Sequence, residues 1–346
     1  MSNPASVPLV DSALAPADFL RRRLLRGLGP LAAPLMNRRE LRVALMGAGV
    51  VLSALAGTLV FPLWMLALGP IVFGVPHILS DIRYLWVRPG FDRRAAVCVA
   101  VGGPLLVGAV TGRLWAGLLA VAGAFVVART TWPRRIAGLG ATALALLAAR
   151  RFSGAADIVF AHLHNVVAIA LWWRWRELSP SARHPRRRSS LRIVPLALVV
   201  AASAVVLAVD PVRAFAGTPL LGPRVGYYLA TLAPGVDRSL GLRLVLAFCF
   251  AQSIHYGIWL RLVPEEDRPR ETPRTFAASF RALHADLGAP RLVLFGALAL
   301  GLAAWACVAL AAARAGYLRF AVFHGHLELC AAALLWAERR RPCAAG

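Results

Sequence analysis

The chain holds eight histidines, and six of them, His77, His162, His164, His255, His324 and His326, fall inside runs of apolar residues. A neutral imidazole carries a lone pair on one ring nitrogen and a proton on the other, so it can bind a metal, relay a proton or join two helices. Each run also brings an acid or amide at helical spacing. Asp81 follows His77 by four residues, Glu328 follows His324 by four, Gln252 precedes His255 by three, and Asp157 precedes His164 by seven. Residues at these spacings lie near one face of a helix. Metal-bound imidazoles donate their second N–H to a carboxylate or carbonyl, so histidine beside acid is the pattern a metal site needs. Two histidines two residues apart point about 200° apart on a helix, so one of each close pair faces away. The face shared with Asp157 and Glu328 selects His164 and His324 and leaves His162 and His326 in reserve. The expected ligands are His77, His164, His255 and His324, with Asp81, Asp157 and Glu328 as the acids of the site and Gln252 in support.

These residues require helices to carry them. With 59% hydrophobic residues in 346, the chain is too apolar for a soluble domain and reads as an all-α, polytopic integral membrane bundle. About ten spans are expected: Leu41–Phe61, Leu63–Trp86, Ala95–Val110, Leu114–Val127, Ile136–Ala149, Phe152–Trp173, Ile193–Val209, Leu240–Leu260, Leu292–Ala313 and Tyr317–Ala337. Pro62 marks the turn between the first two. The net charge of +23 comes from arginine alone, with no lysine, and it is spread between the apolar runs. That distribution follows the positive-inside rule and excludes nucleic acid as the partner. It sets a topology with both termini in the cytoplasm. Residues 1–40 form a cytoplasmic leader in which Phe19 to Met36 can lie as an interfacial helix. Residues 41–337 form the transmembrane domain, with cytoplasmic loops 174–192 and 261–291, and residues 338–346 form a cytoplasmic tail. The outer loop 210–239, with Gly222-Pro223, Tyr227-Tyr228 and Pro234-Gly235, reads as a folded cap or re-entrant piece.

Other features carry blander readings. Cys98, Cys249, Cys307, Cys330 and Cys343 form no CxxC pair and read as reduced residues. Trp172, Trp173 and Trp175 beside Arg174 and Arg176 read as an interfacial aromatic belt. Pro264-Glu265-Glu266-Asp267 reads as a solvated loop neutralised by Arg261, Arg268 and Arg270. His184 and His284 read as solvated loop residues. No Walker, GxSxG or Rossmann glycine pattern occurs in a supporting context, which argues against nucleotide-driven chemistry.

Six membrane histidines on four runs point first to a metal site, then to a proton or ion pathway, with haem ligation and purely structural bonding behind. Neutral imidazoles with few carboxylates suit Fe(II), with zinc or copper as alternatives. A metal at this depth is placed to meet a lipid-soluble substrate that enters between helices, and iron with O₂ is the common chemistry for such substrates. No HExxH arrangement supports zinc hydrolysis. The competing class is a proton-coupled or metal-ion transporter that uses the same histidines and acids in transit.

Gly74-Val75-Pro76-His77-Ile78-Leu79-Ser80-Asp81 resembles the G-x-P-H-G-x-x-D stretch of the Brp/Blh family, with Ile78 where that family has glycine. Those bacterial membrane proteins are related to β-carotene 15,15′-dioxygenase. The resemblance implies a multi-helix enzyme of the bacterial inner membrane with a mononuclear iron held by histidines, cleaving a carotenoid with O₂. On it, His77 is a ligand and Asp81 its supporting acid. The resulting expectation is a membrane-embedded non-haem iron dioxygenase or desaturase-like oxidoreductase acting on a carotenoid or lipid, its partners being that substrate, O₂ and membrane lipids. The sequence leaves the oligomeric state open.

Overall fold

The structure is a computed structural model that describes residues 6–178, 190–216, 223–268 and 271–339. Most of the 174–192 loop, His184 included, lies outside these residues, as do Cys343 and the tail beyond Arg339. The described residues are helical throughout, with no strand. Helix α1 (Ser6–Gly27) and the short α2 (Ala32–Asn37) precede the bundle. The bundle comprises α3 (Arg39–Val60), α4 (Pro62–Asp81), α5 (Ala95–Thr111), α6 (Leu114–Val127), α7 (Trp132–Leu178) and α8 (Val194–Ala208). Two short helices, α9 (Pro211–Ala214) and α10 (Val225–Leu232), lead into α11 (Arg238–Gly257) and the long α12 (Phe276–Ala337). Five helices, counting α4 and α11 with their extensions, are long and apolar enough to cross a membrane, and α5, α6 and α8 are shorter apolar helices. Large apolar side chains such as Val99, Leu144, Val293 and Leu300 point outward from the bundle, an arrangement that suits a lipid solvent.

Breaks in the long helices fall close to the expected boundaries. Helix α7 bends at Ser153, held at φ 30°, and α12 bends at Gly288 and at Ala309. The Gly288 break has φ 77° and is followed by Pro290, a pairing of a left-handed residue with one that cannot continue the ladder. The last boundary differs from expectation, because the final arm of α12 starts several residues before Tyr317 and takes in Arg314. That arginine is buried, with its guanidinium 4.8 Å from the Tyr228 ring. Its Nε donates to the Leu66 carbonyl at 2.7 Å. Pro70 has no N–H to give that carbonyl, so α4 leaves an acceptor inside the bundle and Arg314 fills it. The link ties α4 to α12, the pair of elements that pack most extensively on each other.

Charges gather at one end of the bundle. Arg42 pairs with Glu265 at 2.7 Å, Arg268 joins the same carboxylate at 2.7 Å, and Arg176 pairs with Glu40 at 2.6 Å. Arg88 reaches Asp267 at 3.1 Å, Arg83 reaches Asp286 at 2.7 Å, and Arg94 reaches Glu338 at 2.7 Å. The acidic run at 265–267 is therefore not a solvated loop. Glu265 and Glu266 are buried, and Arg42 of α3 and Arg176 of α7 converge on them. Trp172 and Trp175 are likewise core residues and not a belt, since their face of α7 turns inward onto α11. The leader is anchored here too. Asp18 of α1 accepts from the Phe276 and Ala277 amides at 2.7 and 3.2 Å, capping α12 from a distant segment, while Phe19, Leu20 and Leu24 stay exposed. At the other end, α9 and α10 fold over α11 and bury Tyr228.

Burial pushes the Asp267 carboxyl up to about 6 from an ordinary 3.8, with Asp286 adding to the rise and Arg88 and Arg83 opposing it. A folded pKa above the unfolded one favours the folded state fully below the unfolded pKa, and the gain is lost as pH rises to the folded value. The detergent-solubilised protein should therefore lose on the order of 3 kcal/mol of this contribution between about pH 4 and about pH 6. A melting series across that range should be visibly flatter in Asp267→Asn than in the parent, and an identical slope would refute the assignment.

Candidate metal centre

Four helices deliver the site. Helix α4 brings His77 and Asp81, α7 brings His164, α11 brings His255, and the last arm of α12 brings His324 and Glu328. Both i, i+4 pairs present their acid and imidazole on one face, as the spacing requires. In α4 and α11 the ligand-bearing turn is followed by a widened π-type turn, at Ile82–Val87 and Ile258–Leu262. Such turns rotate the residues beyond them relative to an unbroken helix and recur at functional sites.

Close approach of the helices depends on two glycines. A Cβ on Gly74 would lie 2.5 Å from the Tyr317 ring, and one on Gly325 would lie 3.0 Å from Phe160 and 3.3 Å from His164. The first explains the glycine of the Gly74-Val75-Pro76-His77 stretch, which lets α12 settle on α4 beside His77. The second lets α7 carry His164 up to α12.

One donor atom from each of His77, Asp81, His255 and His324 lies within 4.8 Å of all the others. The ring centroids of His77 stand 4.8 Å from His324 and 5.3 Å from His255. His164 joins this ring of imidazoles at 5.2 Å from His255 and 5.4 Å from His324. His77 Nδ1 faces the Phe73 carbonyl at 3.1 Å, and His324 Nδ1 faces that of Ala321. With the protons assigned to those nitrogens, each Nε2 keeps its lone pair, and both Nε2 atoms are buried without a hydrogen-bond partner among the described residues. The same is true of both ring nitrogens of His255 and both carboxylate oxygens of Asp81.

Charge makes the case sharper. Asp81 and Glu328 are completely buried, and no arginine among the described residues pairs with either. Glu328 Oε1 accepts from Trp259 Nε1 at 2.7 Å and lies 3.7 Å from His255 Nε2, while Oε2 has no partner. Burying a carboxylate without a counter-charge costs several kcal/mol. A divalent cation inside the imidazole ring would neutralise both acids and take up the free lone pairs, so the donor set fits a metal. Its imidazole and carboxylate composition suits Fe(II), zinc or copper.

The remaining expected residues sit elsewhere. His162 Nε2 meets the Leu232 carbonyl at 3.1 Å and its ring lies against Phe248, so it ties α7 to the end of α10. His326 stacks on Phe160 at 4.1 Å, away from the ring of imidazoles. Asp157 is exposed and stands apart from the ligand atoms, at the far end of a cavity of about 290 Å³. Gln252 lines that cavity one turn before His255. The cavity ends at His164, His255 and His324 and is otherwise walled by side chains such as Phe160, Phe248 and Leu318, with Tyr256 and Tyr317 near the metal end. The Tyr256 ring lies 4.7 Å from that of His77, tilted by 51°, and the buried Tyr317 hydroxyl has no hydrogen-bond partner among the described residues. Reasoning from spacing missed Trp259, Tyr256 and Tyr317, because an aromatic in an apolar run looks like any core residue. The adjacency of Tyr256 to His255 was the one available signal. Cys98, Cys249, Cys307 and Cys330 are free thiols.

No protein-family model, curated protein or solved structure matches this chain.

Trp259 fixes Glu328, whose carboxylate lies 3.7 Å from His255 Nε2, and carboxylates placed beside ligating imidazoles typically contribute 10–100-fold in metal affinity. Glu328→Gln should weaken retention of iron or zinc by about that factor in a chelator competition, and Trp259→Phe by less, because it removes one hydrogen bond and keeps the charge. Parent-like retention in Glu328→Gln would show that the carboxylate does not act on the metal.

Proposed function

We propose that the protein is a membrane-embedded, metal-dependent oxygenase or desaturase-like oxidoreductase that acts on a hydrophobic substrate, with Fe(II) as its metal. The observation that carries the reading is the convergence of four imidazoles and two uncompensated carboxylates at the inner end of an aromatic-walled cavity. His77, His255, His324 and Asp81 would hold the ion, with His164 at its edge. Iron bound there would supply the activation of O₂. The chain's own work is to bind, orient and keep dry. Phe160, Phe248, Leu318 and Val322 offer an apolar body favourable contacts, and they exclude the water that would compete at the metal. The carbonyls of Phe73 and Ala321 fix the rings of His77 and His324 so that Nε2 faces inward. The Tyr317 hydroxyl has no hydrogen-bond partner among the described residues and can direct a polar atom of the substrate toward the metal.

The resemblance of Gly74 to Asp81 to the Brp/Blh stretch supports the same class, with a carotenoid or another polyene lipid as substrate. Under this reading the helix arms make ten spans with both termini in the cytoplasm of a bacterial inner membrane. The ion-paired end then faces the cytoplasm, in agreement with the positive-inside rule.

The transporter reading asks for a path through the bundle. Below the histidines the space is filled by Trp259 and Trp175, and then by the buried Arg176 and Glu266. A cavity reached from one side suits a reaction centre better than a conduit. The test is elemental analysis of the purified protein beside His77→Ala and His324→Ala. The parent should carry near-stoichiometric iron, both variants should fall to about a tenth or less, and the iron-loaded parent should consume O₂ with a polyene lipid. Absence of metal after anaerobic loading with Fe(II) or Zn(II), or ion transport in liposomes that requires His77 and Glu328, would overturn the proposal.

A further inference from the structure

The outer end of the cavity carries its own chemistry. Asp157 lies on the first turns of the second α7 arm and lines the cavity, while apolar side chains of the same arm such as Val159 and Leu163 point away from the protein. A carboxylate in such an apolar segment is rare without a functional partner. Asp157 makes no hydrogen bond or ion pair within bonding distance among the described residues, and the charge it feels most is that of Arg113. Gly112 and Leu114, on either side of Arg113, line the cavity, and the Arg319 side chain packs within van der Waals range of the Gly112 Cα hydrogen position. The rim thus offers one acceptor on the cavity wall, with the cationic Arg113 carried between two lining residues.

A head group that suits this rim must both donate and accept. A hydroxyl donates to the Asp157 carboxylate and accepts from a guanidinium. A carboxylate head cannot donate and is repelled by Asp157, an ammonium cannot accept and is repelled by Arg113, and a plain hydrocarbon end leaves both groups unanswered. Resting on the oxygenase reading for its inner end, we propose that the cavity binds an elongated apolar molecule bearing one terminal hydroxyl, held at Asp157 and Arg113 with its body directed at the histidines. Seven helical residues separate Asp157 from His164, so the reacting position lies roughly 10 Å from the hydroxyl. The hydroxyl then acts as a ruler that fixes which carbon meets the metal.

The test uses four linear conjugated polyenes of one chain length that end in an alcohol, an amine, a carboxylate or a methyl group. Binding to the full-length protein in detergent is read by polyene fluorescence, with and without Fe(II). The alcohol should bind at least about tenfold tighter than the methyl-terminated chain, and Asp157→Ala should erase that preference while its metal content stays at the parent level. Equal binding of alcohol and methyl-terminated chains would overturn the anchor, as would a preference for the amine or the carboxylate or one that survives Asp157→Ala. The oxygenase reading fails separately. An alcohol preference in a protein that never retains metal would leave this site standing and remove the reaction centre.

Discussion

Two carboxylates lie at the centre of an apolar bundle with no cation of the chain beside them, and most of the structure answers that fact. Asp81 and Glu328 are fully buried, and of their four oxygens only one has a hydrogen-bond partner among the described residues. In a soluble protein such groups would be solvated or matched by lysine or arginine. Here arginine is abundant, yet Arg42, Arg88 and Arg94 pair with Glu265, Asp267 and Glu338 at one end of the bundle, away from Asp81 and Glu328. The centre is left with imidazoles, which are neutral donors. Neutral donors around two carboxyl groups form a set that fits a cation.

The same division of labour orders the fold. Ion pairs at one end fasten α3, α4, α7, α11 and α12 together without intruding on the centre. Inside the bundle the long helices are joined by polar contacts that each repair a local defect. Pro70 strips the Leu66 carbonyl of its donor and Arg314 supplies one. Trp259 gives its indole N–H to Glu328, and its ring packs on Trp175. Because α4 and α12 each contribute an imidazole and a carboxylate, any slip of one against the other would disperse the site. The Arg314 link and the close seat of Gly74 on Tyr317 oppose that slip from the outer half of the bundle.

The histidines and their helical companions were legible in the sequence because helical geometry is local. Four residues always return to the same face, so His77 with Asp81 and His324 with Glu328 could be paired without knowing the fold. Selecting His164 over His162 and His324 over His326 used the same rule, and the chosen members are the ones that meet. The seven-residue spacing of Asp157 from His164 misled for a physical reason: a shared face says nothing about depth, and two turns place the acid at the rim instead of at the ligands. Glu265 and Glu266 were misread because their partners are far apart in the chain. A run of acids looks solvated until Arg42 and Arg176 arrive from other helices. Trp259 and Tyr317 gave no local sign at all, since their roles come from what α12 and α4 bring beside them.

An asymmetric cavity is the consequence that joins these observations. The ion-paired end is dense with buried charge and tryptophan, and nothing apolar could enter there without separating matched groups at a cost of several kcal/mol each. The opposite side is closed only by short helices and by glycine-allowed contacts, and the side chains around it are apolar or singly charged. A hydrophobic molecule therefore has one inexpensive approach, from the outer side, and it meets the imidazoles with one end while the other is still at the rim. Orientation is then decided before any chemistry begins, by whichever end carries the group that Asp157 and Arg113 can hold. Under the proposed reading, the histidines and Asp81 would set what reaction occurs, and the rim would set where on the substrate it occurs.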